Sequence, residues 1–384
     1  MIDADAGRAA PAPADRLVIV QPWFNACGHP AQSLLHTARA LQYEAGIRYL
    51  IPDTQVDPAL AGLAAELAGV ATVERFASAS TSLPLNTVRA LPPLARLVAG
   101  KQRPPRIFFQ DAHLVSLALA APWILPWDGS LAVSTLYLAG PERIMANGLT
   151  RAVVRRFLAR PWVRLLLRTP ELATAWRDCL PGSVAGRVAE LPSLDLALPL
   201  AAAAGQEVAS PPVRFGAFGQ VQPGKSLDRL VPLFAARPDL GRLMVAGPFM
   251  SDAHRREMPF LSHHPDFVDR FLPEDELLCC AAGQHYLLML YDRWDHRMEA
   301  ATLSLAAAVR RPPLLYNLGW GARMIAQFGC GVAIEPGGDL AAAIAALPMP
   351  GCAAYHALQL GLDRYREAHS PARLCPLTLS VLLG

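Results

Sequence analysis

Short apolar runs alternate with stretches of helical periodicity along the whole chain. "RLVIV" (Arg16 to Val20) is continuous enough for a buried strand. After the loop "QPWFNACGHP", the stretch "AQSLLHTARALQYEAG" repeats Leu34, Leu35, Ala38 and Leu41 at helical spacing and closes on a glycine. "IRYLIP" predicts the next strand and "PALAGLAAELAG" the next helix. "RIFFQD" (Arg106 to Asp111), "LAVSTLYL" (Leu131 to Leu138) and "VRLLLRT" (Val163 to Thr169) continue the series. Strands alternating with helices predict a mostly parallel sheet covered on both faces.

The rhythm breaks at a proline- and alanine-rich linker, "LPSLDLALPLAAAAGQEVASPP" (Leu191 to Pro212). It then restarts with strand "VRFGAF", helix "LDRLVPLFAARP", and strands "RLMVAG" and "YLLMLY". Helix "MEAATLSLAAAVRR" follows, then strand "PPLLYN", helix "ARMIAQFG", strand "GVAIEP" and helix "DLAAAIAAL". The pattern predicts two Rossmann-like α/β domains facing each other across a cleft. Residues 1–15 form a tail, 16–200 the first domain and 201–365 the second, with 366–384 a closing segment that crosses back to the first. Open parallel sheets bind ligands beyond the carboxyl ends of their strands. That puts "GQVQPGKS" (Gly219 to Ser226) at the mouth of the cleft.

Composition narrows the function. The 384 residues are 53% hydrophobic and 17% charged, enough for two ordinary cores. A net charge of +3 argues against a dedicated nucleic-acid partner. No apolar stretch of about 18 residues runs without a charge or proline, so no membrane-spanning helix is expected. The acidic, alanine/proline-rich N-terminus lacks the pattern of a signal peptide, which predicts a cytoplasmic protein. Seven cysteines (Cys27, Cys179, Cys279, Cys280, Cys330, Cys352 and Cys375) form no C-x-x-C pair and fit buried thiols in a reducing compartment. "SHHPD" reads as a solvated loop, and neither a metal nor a bound cofactor is expected. The chain has only two lysines, Lys101 and Lys225, and the second lies in the loop at the cleft.

That loop matches the Walker A pattern G-x-x-x-x-G-K-[ST], and "LLMLYD", ending at Asp292, imitates a Walker B strand. A P-loop NTPase is therefore one reading. Against it, no glycine lies between Gly219 and Gly224, and Pro223 removes a backbone N–H where a phosphate cradle would use one.

The order of features along nearly the whole chain resembles the GT-B glycosyltransferases of the large retaining, group 1 (family 4-like) class. "GQVQPGKS" is similar to that family's "GR-L-V-P-x-K-G" turn, with Gly219, Pro223 and Lys225 in register. "PSLD" (Pro192 to Asp195) resembles its interdomain "PNGVD", and "RLMVAGP" its "L-x-I-x-G-x-G". "DRFLPEDELLCC" resembles the segment before the donor strand. "GCGVAIEPGGDLAAAIAAL" (Gly329 to Leu347) is the most specific match, and "PWFNACGHPAQSLLHTARAL" resembles the opening glycine loop and first helix. Two departures stand out. Gln220 replaces the family's arginine, and the second glutamate of the family's Glu-x7-Glu signature should fall near Ser304 or Leu305, where no acid exists. A catalytically degenerate GT-B protein that only binds its ligand is thus a further alternative.

The resemblance implies transfer of a sugar from a nucleoside diphosphate sugar, used as co-substrate, to a hydroxyl of a saccharide or lipid-linked acceptor, in cell-surface or exopolysaccharide synthesis. Lys225 would stabilise the leaving diphosphate without a metal. Gly219 and Gly28 would let backbone approach the phosphates. Glu299 would hold donor hydroxyls, and Arg293 or Arg323 would make up for Gln220. Asp111 and His113, just past the strand "RIFF", would orient or deprotonate the acceptor. Tyr137 stands where the family often has a histidine, and core packing is its expected role. The basic run from Arg151 to Arg168 reads as a solvated helix followed by a buried strand, with a peripheral contact on anionic lipid at the inner face of the membrane as the alternative.

Overall fold

The computed structural model describes residues 16–24, 30–53, 58–78, 82–125, 132–194, 200–201, 211–292 and 295–384. Gly28 and Arg293 lie outside them.

Two all-parallel sheets organise the chain. The first contains β1 (Leu17–Val20), β2 (Ile47–Pro52), β3 (Thr72–Phe76), β4 (Arg106–Phe109), β5 (Val133–Leu136), β6 (Val163–Leu167) and β7 (Val188–Glu190), in spatial order β3-β2-β1-β4-β5-β6-β7. The second contains β8 (Arg214–Phe218), β9 (Arg242–Ala246), β10 (Phe267–Val268), β11 (Tyr286–Met289), β12 (Pro313–Tyr316) and β13 (Val332–Ile334), in order β10-β9-β8-β11-β12-β13. In each sheet the winding reverses beside the first strand, between β1 and β4 and between β8 and β11. Such switch points open a crevice at the carboxyl ends of the strands.

The apolar runs are continuous because both faces are buried. Leu17 and Ile19 of β1 face helices Pro30–Leu41, Pro58–Val70 and Pro371–Leu383, while Val18 and Val20 face helices Leu91–Val98, Leu114–Ile124 and Gly148–Leu158. Trp176 is fully buried in the latter layer and donates its indole N–H to Ala139 O at 2.9 Å. Tyr137 packs edge-on against it at 5.5 Å, a core role.

The chain passes between the domains twice. Leu194 belongs to the first core and Ala201 to the second. Helix Ala353–Ala368 packs against helices Ala301–Val309 and Gly319–Phe328 of the second domain. Helix Pro371–Leu383 then returns to the first domain, burying Leu374 and Leu382 beside Leu17. Arg164 holds that helix by donating to Val381 O at 2.6 Å.

Polar ties fix one domain against the other. Arg297 forks onto Glu142 (2.7 and 3.0 Å) and onto its own neighbour Asp295 (2.8 Å twice), and its carbonyl accepts from Thr169 Oγ1 at 2.6 Å. Those hydrogen bonds, Asp295's first, push the guanidinium above its already high pKa. His36 Nε2 meets Glu274 Oε2 at 2.7 Å, which holds the Glu274 carboxyl below its usual range. Among the described residues no helix is long and apolar enough to cross a membrane.

Candidate active site

The loop after β8 is pinned on two sides at the switch point of the second sheet. Gly219 has φ 93 and donates its N–H to Ala246 O at 3.0 Å. Gly247, with φ 148, lies against it so closely that a Cβ there would overlap the Gly219 carbonyl oxygen. Val221 N–H donates to Pro248 O at 2.8 Å, extending the pairing of β8 and β9 past their ends. On the other side, Asp292 N–H donates to Gly224 O at 2.9 Å, tying the loop to the exit of β11. This geometry needs glycine at both Gly219 and Gly247.

Lys225 folds back into the turn so made. Its Nζ donates to Phe218 O at 3.4 Å and sits 5.5 Å from the Tyr291 ring centroid. Among the described residues no carboxylate pairs with it. An ammonium has three protons to donate, and this one uses a single long bond. Burial therefore pushes its pKa from 10.5 down to about 8. A poorly compensated cation at the carboxyl edge of a Rossmann sheet is chemically suited to an anion. Gln220 beside it is half-buried and its side chain makes no hydrogen bond among the described residues.

The Walker reading fails on Ser226. Its hydroxyl, which a P-loop would place on Mg²⁺, is buried and meets Tyr316 Oη at 3.2 Å, and Arg229 donates to the same oxygen at 3.1 Å. Ser226 also adopts the left-handed backbone conformation (φ 51), where the resembling family has glycine. Ser226→Gly should relieve roughly 1 kcal/mol of left-handed strain and lose a hydrogen bond of about the same worth. The expected result is a change in unfolding free energy under about 1 kcal/mol, read by denaturant titration, with nucleotide affinity held.

Two small pockets meet at Tyr291. One is lined by Lys225, Gly219, Val221 and Tyr291. The other lies beyond the ends of β11 and β12, between Tyr291, His296, Tyr316, Leu318 and Trp320. Its wall is laced together where Trp320 N–H donates to His296 O at 2.8 Å. Burial holds His296 below the usual histidine pKa.

Other candidate residues fall elsewhere. Glu299 accepts from Ser193 Oγ of "PSLD" and sits two residues before helix Ala301–Val309, at the seam between the domains. Ser304, where a second acid was sought, is buried inside that helix. Arg323 is committed to Glu171 across the domains, at 2.6 and 3.2 Å, rather than turned to a phosphate. In the first sheet, Asp111 follows β4 and accepts from Gln21 Nε2, just past β1, at 2.9 Å, which places it at that sheet's own switch point. His113 caps helix Leu114–Ile124: its Nδ1 accepts from Ser116 N–H at 3.3 Å, and burial lowers its pKa. Only Nε2 is left for any other task.

The same architecture occurs in solved structures of low sequence identity. HepE of Anabaena, solved in complex with UDP, matches with a TM-score of 0.65 at 13% identity, over 96% of this chain and 99% of that one. OtsA matches with a TM-score of 0.68 at 13% identity, over 96% and 99%. A glycosyltransferase from Rickettsia africae matches with a TM-score of 0.62 at 10% identity, over 96% and 98%. The fold is GT-B. No protein-family model and no curated protein matches the sequence.

In the GT-B frame, Lys225, Gly219 and Gln220 gather on the second domain's side of the cleft and Asp111 lies at the switch point of the first. Three residues that matter were not singled out from sequence. Gly247 hides in "RLMVAGP" as an ordinary turn glycine, and Tyr291, the floor beneath Lys225, reads as the last residue of an apolar run. Arg297 was hidden by the density of charge in "YDRWDHRME", where nothing marks which arginine spans the domains.

Proposed function

We propose that this protein is a glycosyltransferase that moves a sugar from a nucleoside diphosphate sugar to a hydroxyl of a saccharide or lipid-linked acceptor. The observation that carries this is Lys225, a cation without a carboxylate partner among the described residues, half-buried at the switch point of the donor-side sheet. Support comes from HepE, solved with UDP and with UDP-glucose.

In the reaction, the bond between the sugar's anomeric carbon and the diphosphate oxygen breaks, and the diphosphate leaves with the electron pair. The acceptor oxygen bonds to that carbon and gives up its proton. Lys225 meets the negative charge that develops on the diphosphate, where a preorganised donor in a water-poor site acts most strongly. Gly219 lets the backbone approach the phosphates. Asp111, held by Gln21, orients the acceptor hydroxyl or accepts its proton. Lys225 supplies the charge a metal would otherwise bring, so the reaction runs without one. A hexosyl donor and a role in polysaccharide synthesis complete the proposal.

One observation favours a second reading, a GT-B protein that binds without transferring: the buried Ser304 stands where an acidic residue was sought. A thermal-shift screen against UDP-, GDP- and ADP-sugars and ATP, with and without EDTA, addresses the first question. A nucleoside diphosphate or its sugar should stabilise the protein more than ATP does, and EDTA should not abolish the shift. Strict magnesium dependence with ATP turnover would instead restore the P-loop NTPase. Slow hydrolysis of the stabilising sugar nucleotide separates the transferase from the binding protein, which should show none.

A further inference from the structure

The basic run from Arg151 to Arg168 does not form one lipid-facing surface. Arg155 donates to Cys179 O at 2.7 Å and Arg164 to Val381 O at 2.6 Å, and residues 163–167 are the interior strand β6. A different surface appears when four of the helices over that face of the first sheet are taken together. Helices Leu83–Arg89, Leu91–Val98, Leu114–Ile124 and Gly148–Leu158 pack side by side and contain no Asp or Glu at all. Residues 77–170 hold twelve Lys and Arg against three Asp and Glu, a net +9, whereas the rest of the chain holds 23 against 29, a net −6. The modest overall charge thus conceals a segregated one.

The outer side of this basic layer also carries apolar side chains that a water-facing surface does not need. Helix Leu114–Ile124 buries Leu114, Leu117, Ala118 and Ala121 and turns Leu119 and Trp123, one helical turn apart, to the outside at 54% and 89% exposure. Leu149 opens the neighbouring helix at 75% exposure. On these four helices Arg89, Arg96, Arg151 and Arg156 are exposed and have no carboxylate partner among the described residues. Scattered exposed leucines are ordinary, but a nearly bare tryptophan beside a leucine on a helix that carries no carboxylate is not. Tryptophan favours the headgroup level of a bilayer, where its ring is half in hydrocarbon and its N–H stays wet. Clustered arginine favours the anionic headgroups around it.

We infer that the outer face of helix Leu114–Ile124, with Arg89, Arg96, Arg151 and Arg156 on the helices packed beside it, docks the protein on an anionic lipid bilayer. Leu119 and Trp123 enter the interface and the arginines meet the lipid phosphates. A bilayer fits better than an acidic protein because the contact needs no matching shape, only apolar depth and negative charge. Docking there would hold a transferase on the kind of surface that bears a lipid-linked acceptor. This deepens the transferase proposal, yet vesicle binding is read without turnover, so either idea can fail alone.

The test is co-sedimentation with phosphatidylcholine vesicles and with vesicles containing about one-third phosphatidylglycerol. The full chain should bind the anionic vesicles at least about tenfold more tightly, and high salt should weaken the binding. Each arginine contributes about fivefold near such a surface, so the double variant Arg151→Glu/Arg156→Glu should lose at least about tenfold. Leu119→Ser/Trp123→Ser should lose about tenfold as well, because it removes the inserted apolar groups. Both variants should keep the melting temperature and the nucleotide-induced thermal shift of the parent protein. Equal binding to both vesicle types, no binding, or variants that sediment like the parent would overturn the inference. So would a lipid-free dimer that Leu119→Ser/Trp123→Ser dissociates, because the face would then be covered by a second copy.

Discussion

Replacing Lys225 by methionine should lower sugar transfer by about a hundred- to a thousandfold, the loss expected when one preorganised charge donor is removed from a transition state. Methionine keeps the length and apolar stem of the lysine over Tyr291, so packing is largely preserved and the charge alone is deleted. Stability should move little. The variant leaves Phe218 O without its long 3.4 Å bond, worth about 1 kcal/mol at most, and relieves the desolvation of a cation with no carboxylate partner among the described residues. The pH dependence of that relief has a definite sign. Lys225 titrates at about 8 in the folded protein against 10.5 as a free side chain. Between those values the unfolded chain holds a proton that the folded one has lost. Stability of the parent relative to Lys225→Met should therefore rise with pH through that window, and the penalty should be fully present below it. Denaturant titrations of both proteins across the window check the sign.

Gly247→Ala should raise the donor KM at least about tenfold and destabilise the fold by about 3 kcal/mol or more. The two effects come from one conflict, since the new Cβ would meet the Gly219 carbonyl oxygen while the backbone is held at φ 148. The turn must open, and Lys225 moves with it. A control separates site damage from general weakening. Gly241 flanks the opposite end of β9, has φ 130, and a Cβ there would overlap Val213 O. Gly241→Ala should thus destabilise comparably, yet donor KM should change by less than about threefold, because this end of the strand faces away from the cleft. If both variants damage KM alike, the turn at Gly219 has no special part in donor binding.

What the sequence revealed follows from burial. β1, β2, β4, β5 and β6, and then β8, β9, β11 and β12, read as apolar runs because helices cover both faces of each sheet. The strands it hid are edges. β3, "TVERF", is exposed or half-buried at every position but Phe76 and pairs Glu74 with Arg48, while β7 and β10 are three and two residues long. An edge strand has solvent along one side and need not be continuously apolar. The loop "GQVQPGKS" was legible as a strand-to-helix turn at the carboxyl edge of the second sheet, and the doubt about its Walker spelling was met by a feature no pattern contains, the engagement of Ser226 by Tyr316. The arginines were the hardest to assign. Arg297 and Arg323 make ion pairs over 155 and 152 residues of separation, and a guanidinium that spans two domains reads in sequence like one facing water. His113 was legible both ways, since the end of a strand is also the start of the next helix.

The most direct test of a diphosphate site at Lys225 is to count the protons that move when UDP binds. Titration calorimetry near pH 8.5, about half a unit above the pKa of Lys225 in the empty site, would be run in two buffers of different ionisation enthalpy. The arriving phosphates raise the lysine's pKa again, so binding should take up most of one proton, and affinity should fall as pH rises through about 8. Lys225→Met should bind UDP at least about tenfold more weakly with no proton uptake. Binding by the parent protein with no proton exchange, or undiminished binding by Lys225→Met, would contradict the assignment.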